Sequence, residues 1–255
     1  MDGAKITAQA WPELIRNTFF HFLAAGSVLL MTLLWLEHHH WIHWSAVIRA
    51  TGLFGIIVLG VTFTLRGHLP QRWFGLGNRI TLLRALMLCL LAALEDAFNR
   101  QAWLLSMGGI LFLLLDGADG YAARRTRSAS PFGARFDVEV DSLYVLVTTL
   151  LVWDLDKAGF WVMGSGMLRY VYISLGYWLP RLRTPLPSSQ RRSLIGIVNS
   201  VLLTLCLLPQ VQAPLAVLMA LLGLVLTLIS FAIDVYRLCL QPRVFTDSNF
   251  SPPHY

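Results

Sequence analysis

The stretch DGADGYAARRTRSASPFGARFDVEVD, residues 116–141, places four aspartates at the edge of two strongly apolar segments. Asp116 directly follows Leu-Phe-Leu-Leu-Leu, and the run Leu-Tyr-Val-Leu-Val begins two residues after Asp141. An ionised carboxylate is costly to remove from water unless it is paired or bound to a cation. The four acids, which include Asp119 and Asp137, therefore need a common explanation.

The composition indicates an integral membrane protein. The 255 residues are 56% hydrophobic and 13% charged, whereas soluble domains are about 45–50% apolar and about 25% charged. The formal net charge is +6, which in a membrane protein is typical of cytoplasmic loops that contact anionic lipid headgroups, so a nucleic-acid partner is not expected. The three cysteines are isolated, so they predict neither a disulfide framework nor a metal site.

The apolar residues form segments long enough to cross a bilayer as helices. A span needs about 20 residues, and the runs are too long and lack the alternation expected of strands. The fold class is therefore predicted to be an all-α integral membrane protein. The eight predicted spans lie near 18–36, 46–65, 79–98, 102–120, 137–156, 159–179, 194–213 and 214–236.

The distribution of Lys and Arg predicts the orientation. Only Arg49, Arg100 and Lys157 fall on one set of loops, and the arginine-rich loops, which the positive-inside rule assigns to the cytoplasm, lie on the other side. Both termini and the acidic stretch are thus expected on the cytoplasmic side, and a bacterial inner membrane is the expected location. The residues of the basic set are Lys5, Arg16, Arg66, Arg72, Arg79, Arg124, Arg125, Arg127, Arg135, Arg181, Arg183, Arg191, Arg192, Arg237 and Arg243.

The spacing of the aspartates predicts a metal site. Asp116 and Asp119 are three apart and Asp137 and Asp141 are four apart, so each pair shares one face of a helix. If the chain turns back between the pairs, the two acidic faces oppose each other, and four carboxylates cannot all ionise there without cations. Oxygen ligands favour Mg²⁺ or Mn²⁺, with two ions expected. The glycines that remove side chains where a ligand or a neighbouring helix must come close are Gly117, Gly120 and Gly133.

The pattern D-x-x-D-G-x-x-A-R-x₈-G-x-x-x-D-x-x-x-D resembles the signature of the CDP-alcohol phosphotransferase family. A second, weaker match is GNRITLLR, in which Asn78, Thr81 and Arg84 are similar to residues that open the first core helix of the family near the nucleotide. The resemblance covers about residues 72–236. The signature matches at Asp116, Asp119, Gly120, Ala123, Arg124, Gly133, Asp137 and Asp141.

The resemblance implies a domain organisation. Residues 1–71 would add two transmembrane helices, residues 72–240 would form the six-helix core of the family, and residues 241–255 would be a cytoplasmic tail. Members of the family are commonly homodimers, which is therefore the expected state.

The resemblance also implies a reaction: transfer of a phosphatidyl or other phospho-alcohol group from a CDP-linked donor, here expected to be CDP-diacylglycerol, to an acceptor hydroxyl, with release of CMP. Asp116, Asp119, Asp137 and Asp141 would bind the metal ions, and Asp141 would also act as the general base. The residues expected to contact the CDP-linked donor are Asn78, Thr81, Gly120, Ala123, Arg124 and Gly133.

The acceptor site has weaker signals. Arg169 falls near the middle of a predicted span, where an arginine needs a partner or a water-filled cavity, and Asp234 is a candidate for pairing with a basic residue. Arg181 and Arg191 lie in a loop that either contacts lipid headgroups or binds a phosphorylated acceptor. Ser142 follows Asp141 where glycerol phosphate-using members commonly have Lys, which argues against that acceptor. Inositol, serine, choline and phosphorylated polyols remain as alternatives.

Two other classes of function are compatible with an acidic membrane protein. A transporter would be expected to distribute its charges through the depth of several spans, but here the acids concentrate at one face. A non-catalytic scaffold would be expected to lose a metal ligand, and none is lost from the pattern. Release of CMP distinguishes an enzyme from both.

Overall fold

The computed structural model describes residues 2–69, 73–94, 98–125, 130–178 and 189–240, and these residues form helices without strands. The predicted all-α class is therefore confirmed. Two short 3-10 helices, Leu65–His68 and Phe160–Val162, continue α2 and precede α6. The helices are α1 (Asp2–His38), α2 (Trp44–Thr64), α3 (Leu76–Ala93), α4 (Phe98–Arg125), α5 (Pro131–Asp154), α6 (Met163–Trp178), α7 (Gln190–Cys206) and α8 (Ala213–Leu240).

Several helices can cross a bilayer by length and composition. Within the described ranges these are Trp11–His38, Trp44–His68, Leu76–Ala93 and Ala213–Leu238, and α4 contains a shorter apolar stretch, Trp103–Ala118. Large apolar side chains such as Phe63 are exposed on them, as expected for a surface that faces lipid. The protein is thus a multi-pass membrane protein. The count of eight spans stays a prediction, because charged residues interrupt the apolar sequences of α4 and α5, and α6 and α7 have only 16 and 17 residues.

Helix α3 lies at the centre of the bundle. It packs against α1, α2, α4 and α5, while α5 also packs against α6 and α7, and α7 packs against α8. Both N-terminal helices thus contact α3, and α2 also contacts α5, which carries part of the acidic stretch. The predicted domain boundary at 71/72 and the predicted tail 241–255 lie outside the described residues.

The starts of α3 and α5 follow from local sequence. Ser130 caps α5 by accepting a hydrogen bond from the backbone N–H of Gly133 at 3.1 Å, and Pro131 occupies the first turn, a position where its missing N–H costs nothing. Gly75 precedes α3 with a φ of 82°, which favours glycine because a Cβ would be strained there. Both helices thus begin at fixed points near the acidic stretch.

Small residues allow close helix contacts deeper in the bundle. A Cβ on Gly109 in α4 would lie 2.9 Å from Tyr144 Oη, and a Cβ on Gly166 in α6 would lie 2.7 Å from Leu146 Cα in α5. A larger side chain at position 166 would require the α5 backbone to shift, and one at position 109 would require the Tyr144 and Thr204 side chains to move. Close approach at glycines is a common way for membrane helices to associate.

Lys157 ties the loop after α5 to the end of α7. Its side chain is buried, and Nζ donates hydrogen bonds to the carbonyl oxygens of Cys206, at 2.8 Å, and Leu208, at 2.6 Å. Burial lowers the pKa of Lys157, whereas the two carbonyl acceptors favour the charged ammonium. A cation at a helix C-terminus satisfies carbonyls that have no partner within the helix.

Lys157→Met should lower the free energy of unfolding by about 1–3 kcal/mol, because it leaves one buried and one partly buried carbonyl group without this donor. Thermal unfolding of the purified protein in mild detergent measures the effect. Asp154→Asn, an exposed position at the end of α5, is the matched control and should unfold like the wild type. Equal melting temperatures for Lys157→Met and the wild type would show that the hydrogen bonds from Lys157 to the end of α7 do not stabilise the fold.

Candidate active site

Three of the predicted aspartates meet at one end of the bundle. Asp116 comes from α4 and Asp137 and Asp141 come from α5, and one carboxylate oxygen from each lies within 4.8 Å of the other two. The spacing of four residues between Asp137 and Asp141 places both on one face of α5. The convergence of the two acidic segments, inferred from spacing alone, is thus observed for these three side chains.

Arg84 of α3 lies beneath the three carboxylates and contacts all of them. Nη1 lies 2.6 Å from Asp137 Oδ1, Nη2 lies 2.7 Å from Asp116 Oδ1, and Nη2 also pairs with Asp141. The Arg84 side chain is fully buried, while the exposed fractions of the three aspartates are 32%, 34% and 42% in chain order. The guanidinium group forms the floor of the site, and the carboxylates face outward.

An aromatic stack supports Arg84 from the interior. The guanidinium carbon lies 4.5 Å from the ring centroid of Phe112, and Phe112 stacks on Tyr144 with centroids 3.9 Å apart and an interplanar angle of 7°. The Tyr144 hydroxyl is hydrogen-bonded to Thr204 Oγ1 of α7 at 2.6 Å. A cation over an aromatic face is favourable where water is excluded, so these contacts fix the position of the Arg84 guanidinium group in the bundle.

The donor set fits a hard divalent cation. Three ionised carboxylates and one guanidinium carry a formal charge of −2, which one divalent cation would neutralise, and carboxylate oxygens are the ligands that Mg²⁺ and Mn²⁺ prefer. The partial exposure of the carboxylates leaves them accessible to an ion from solvent. Asp119 lies in α4 three residues after Asp116, but its side chain is outside the described part, so the second ion stays a prediction.

Three of the six residues predicted to contact the donor lie on α3 and α5. Asn78 is buried and donates from Nδ2 to the carbonyl of Phe74 at 2.5 Å. A Cβ on Gly133 would lie 2.7 Å from Asn78 Oδ1, so Gly133 is required for this helix contact. Thr81 is buried too and donates to the carbonyl of Gly77 at 3.2 Å. Their contact with a nucleotide stays a prediction.

The remaining residues of the signature lie in α4. Gly120 is half-buried, and a Cβ on Gly117 would meet open space, so the glycine at 117 leaves room instead of packing a helix. Ala123 and Arg124 belong to the last turns of α4, but their side chains are outside the described part.

Two of the arginines predicted for the acceptor are paired with carboxylates. Arg169 of α6 forms an ion pair with Glu139, which lies on α5 between Asp137 and Asp141. Its predicted need for a partner is therefore met. Arg181 is outside the described residues.

Arg191 joins α7 to α8. Its Nη2 donates to Asp234 Oδ1 at 2.5 Å, and its Nη1 donates to Ser230 at 3.2 Å. Arg192 lies 3.6 Å from the other oxygen of Asp234. The expectation that Asp234 pairs with a basic residue is confirmed. Both acceptor arginines in the described ranges thus have structural partners.

Arg84 is the site residue that the sequence analysis did not place among the aspartates. Its signal was an arginine inside the apolar run TLLRALMLCLL, and ionisable residues within membrane spans are commonly functional. The spacing within α3 does not show that the aspartates are its partners, because those lie 32 to 57 residues further along the chain.

Arg84→Gln should make stability depend on divalent cations. Without the guanidinium group, the free energy of unfolding in chelator should fall by about 1–3 kcal/mol. Breaking a fully buried ion pair costs roughly 3–5 kcal/mol, and the loss here should be smaller because the carboxylates are partly exposed. Mg²⁺ should restore most of the melting temperature. Arg79→Gln, exposed on the same helix, is the control, and an unchanged melting temperature for Arg84→Gln in chelator would contradict the proposed charge balance.

Comparison with known proteins identifies the family. No curated protein and no solved structure matches the chain. A family model described as CDP-alcohol phosphatidyltransferase matches residues 74–229, more than half of the chain. The matched region begins just before α3 and includes Arg84 and all the aspartates of the site. The chain therefore belongs to the CDP-alcohol phosphatidyltransferase family, whose members transfer substituted phosphate groups.

Proposed function

We propose that the protein transfers a phosphatidyl group from CDP-diacylglycerol to the hydroxyl of an alcohol acceptor, with release of CMP, in phospholipid biosynthesis. Family membership supports transfer of a phospho-alcohol group from a CDP-alcohol. The observation that carries the proposal is the convergence of Asp116, Asp137 and Asp141 above the buried Arg84. A site at the end of the bundle also lets the acyl chains of a lipid donor stay in the bilayer while its headgroup reaches the carboxylates.

The aspartates would hold Mg²⁺ or Mn²⁺, with Asp119 completing the ligand set for two ions. A bound divalent ion neutralises pyrophosphate charge and stabilises the departing CMP. Arg84 keeps the three carboxylates of two helices at a fixed separation and lowers their mutual repulsion. Asn78, Thr81, Gly120, Ala123, Arg124 and Gly133 are proposed to form the donor site around them.

Asp141 is proposed as the general base. It has the largest exposed fraction of the three aspartates, 42%, so an acceptor hydroxyl can approach its carboxylate. The carboxylate would take the hydroxyl proton while the acceptor oxygen bonds to the donor phosphorus. The bond from that phosphorus to the bridging oxygen of CMP breaks, and CMP leaves with the electron pair.

Arg169, Arg181 and Arg191 are proposed as acceptor contacts. The pairing of Arg169 with Glu139 and of Arg191 with Asp234 means that an anionic acceptor would have to compete with a carboxylate at either arginine. Assaying inositol, serine, choline and phosphorylated polyols as acceptors with labelled CDP-diacylglycerol would identify the substrate.

The active site is proposed to face the cytoplasm of a bacterial inner membrane. Arg79 at the start of α3, Arg125 at the end of α4 and Arg135 at the start of α5 lie at the same helix ends as the site, which agrees with the positive-inside rule. The protein is further proposed to be a homodimer through helices away from the site. Native mass measurement in nanodiscs tests this, and a monomer would contradict it.

Turnover should require a divalent cation. EDTA should abolish release of CMP from CDP-diacylglycerol, and Mg²⁺ or Mn²⁺ should restore it, because the carboxylates alone would repel the pyrophosphate. Full activity in chelator would contradict the metal site. No release of CMP with any acceptor would favour a transporter or a scaffold.

Two substitutions separate the roles of the aspartates. Asp141→Asn keeps one ligand oxygen but cannot accept a proton, so donor binding with Mg²⁺ should persist while the single-turnover rate falls by roughly 10²–10⁴-fold. Asp116→Asn should weaken cation and donor binding together. Donor affinity and single-turnover rates measure both effects. A near wild-type rate for Asp141→Asn would exclude it as the base, and loss of donor binding would make it chiefly a metal ligand.

A further inference from the structure

His68 joins the beginnings of two helices that carry the site. It ends the 3-10 helix Leu65–His68, and its side chain is fully buried. Nε2 lies 2.8 Å from the carbonyl oxygen of Trp73, and Nδ1 lies 2.6 Å from Ser130 Oγ. Trp73 comes three residues before α3, and Ser130 is the N-cap of α5. Both nitrogens of one ring therefore bind to segments that are far apart in the sequence.

The hydrogen bonds have a defined direction. A carbonyl oxygen only accepts, so Nε2 of His68 carries a proton and donates to Trp73. In the neutral ring Nδ1 then accepts, and the Ser130 hydroxyl donates to it. Ser130 Oγ in turn accepts the backbone N–H of Gly133 at 3.1 Å. The chain runs from Gly133 through Ser130 and His68 to Trp73, and each group has the partner that its chemistry requires.

Helix α1 adds further contacts to the same region. Asn17 Oδ1 accepts the backbone N–H of Phe74 at 2.9 Å. The ring of Phe22 packs against Phe74, with centroids 5.7 Å apart, and against Phe136 of α5, with centroids 6.2 Å apart. The His68 ring lies edge-on to a further residue of α5, Phe132. The two N-terminal helices thus contact the start of both α3 and α5.

The spacing of α3 and α5 determines the geometry of the site. Arg84 lies on α3, and Asp137 and Asp141 lie on α5. Ser130 precedes Asp137 by seven residues, which is about 10 Å along a helix at 1.5 Å per residue. A displacement at the start of α5 is therefore transmitted by a rigid helix to the carboxylates. A misplacement of about 1 Å at a catalytic site, caused by a substitution far from it, can lower the rate by about 10²-fold.

We propose that His68 is a positioning residue that sets the separation of α3 and α5. Through it the N-terminal helices would fix the position of Arg84 relative to Asp137 and Asp141. His68, Asn17 and Phe22 all lie outside the region 74–229 that matches the family model. The consequence for catalysis rests on the proposed function, whereas the consequence for helix spacing does not.

The test compares three variants, two with a substitution at His68 and one with a substitution at His43. His68→Ala removes both hydrogen bonds, and His68→Gln keeps one donor and one acceptor on a flexible amide. His43→Ala is the matched control, because His43 is exposed at the opposite end of α2 and makes no capping hydrogen bond with its side chain. Each variant is reconstituted in nanodiscs and checked for monodispersity and melting temperature.

The structural readout is the distance between spin labels at Arg79→Cys in α3 and Ala134→Cys in α5, both exposed positions, in a background with the natural cysteines replaced. The kinetic readout is kcat for CMP release and the Mg²⁺ concentration for half-maximal rate. His68→Ala should broaden or shift the distance distribution, raise the half-saturating Mg²⁺ concentration and lower kcat, with a combined loss of up to about 10²-fold. His68→Gln should recover most of both readouts.

A second comparison tests the route through Ser130. Ser130→Ala should reproduce part of the His68→Ala effect, and the double variant should lose less activity than the product of the two single losses, because both substitutions break the same hydrogen bond. Strictly multiplicative losses would contradict this route.

The outcomes separate the two proposals. A normal distance distribution in His68→Ala, or an equal change in His43→Ala, would overturn the positioning role whatever the activity. If the wild type releases no CMP, the proposed function fails, and the spin-label distances still decide whether His68 sets the spacing of α3 and α5.

Discussion

The contact of one buried guanidinium group with three carboxylates is the constraint on which the site depends. Arg84 is fully buried, and its burial is tolerable only because Asp116, Asp137 and Asp141 surround it. A charge without partners in this position would cost several kcal/mol or more. Helices α3, α4 and α5 must therefore meet at this point with the correct rotation, and the stack of Phe112 on Tyr144 supports that meeting point from the interior.

Charged side chains at the two ends of the bundle have different partners. At the end with the acidic site, partly exposed carboxylates leave a net negative formal charge for cations to neutralise. At the other end Lys157 satisfies the carbonyl groups that end α7. Between the ends, glycines and small polar side chains bring the helices close together, and the large apolar side chains face outward. In this interior region the buried hydroxyls of Tyr144 and Thr204 are hydrogen-bonded to each other, which satisfies polar groups that water cannot reach.

The N-terminal helices are more than an addition to the family region. They lie outside residues 74–229, yet α1 and α2 pack against α3, and α2 also packs against α5. The contacts of His68 link segments on both sides of the site. This arrangement gives the helix pair a physical connection to the aspartates although it contributes none of them.

The sequence by itself determined the class of fold, the acidic set and the resemblance to a family, because long apolar runs and helical spacing are local properties of the chain. It also indicated that Arg169 needs a partner or a water-filled cavity and that Asp234 is a candidate for pairing with a basic residue. Only the tertiary structure decided that Arg169 pairs with Glu139 and that Asp234 pairs with Arg191. It likewise placed Arg84 among the aspartates. Such pairings depend on how each helix is rotated against its neighbours, and that rotation is set by packing between residues far apart in the chain, which no local pattern records.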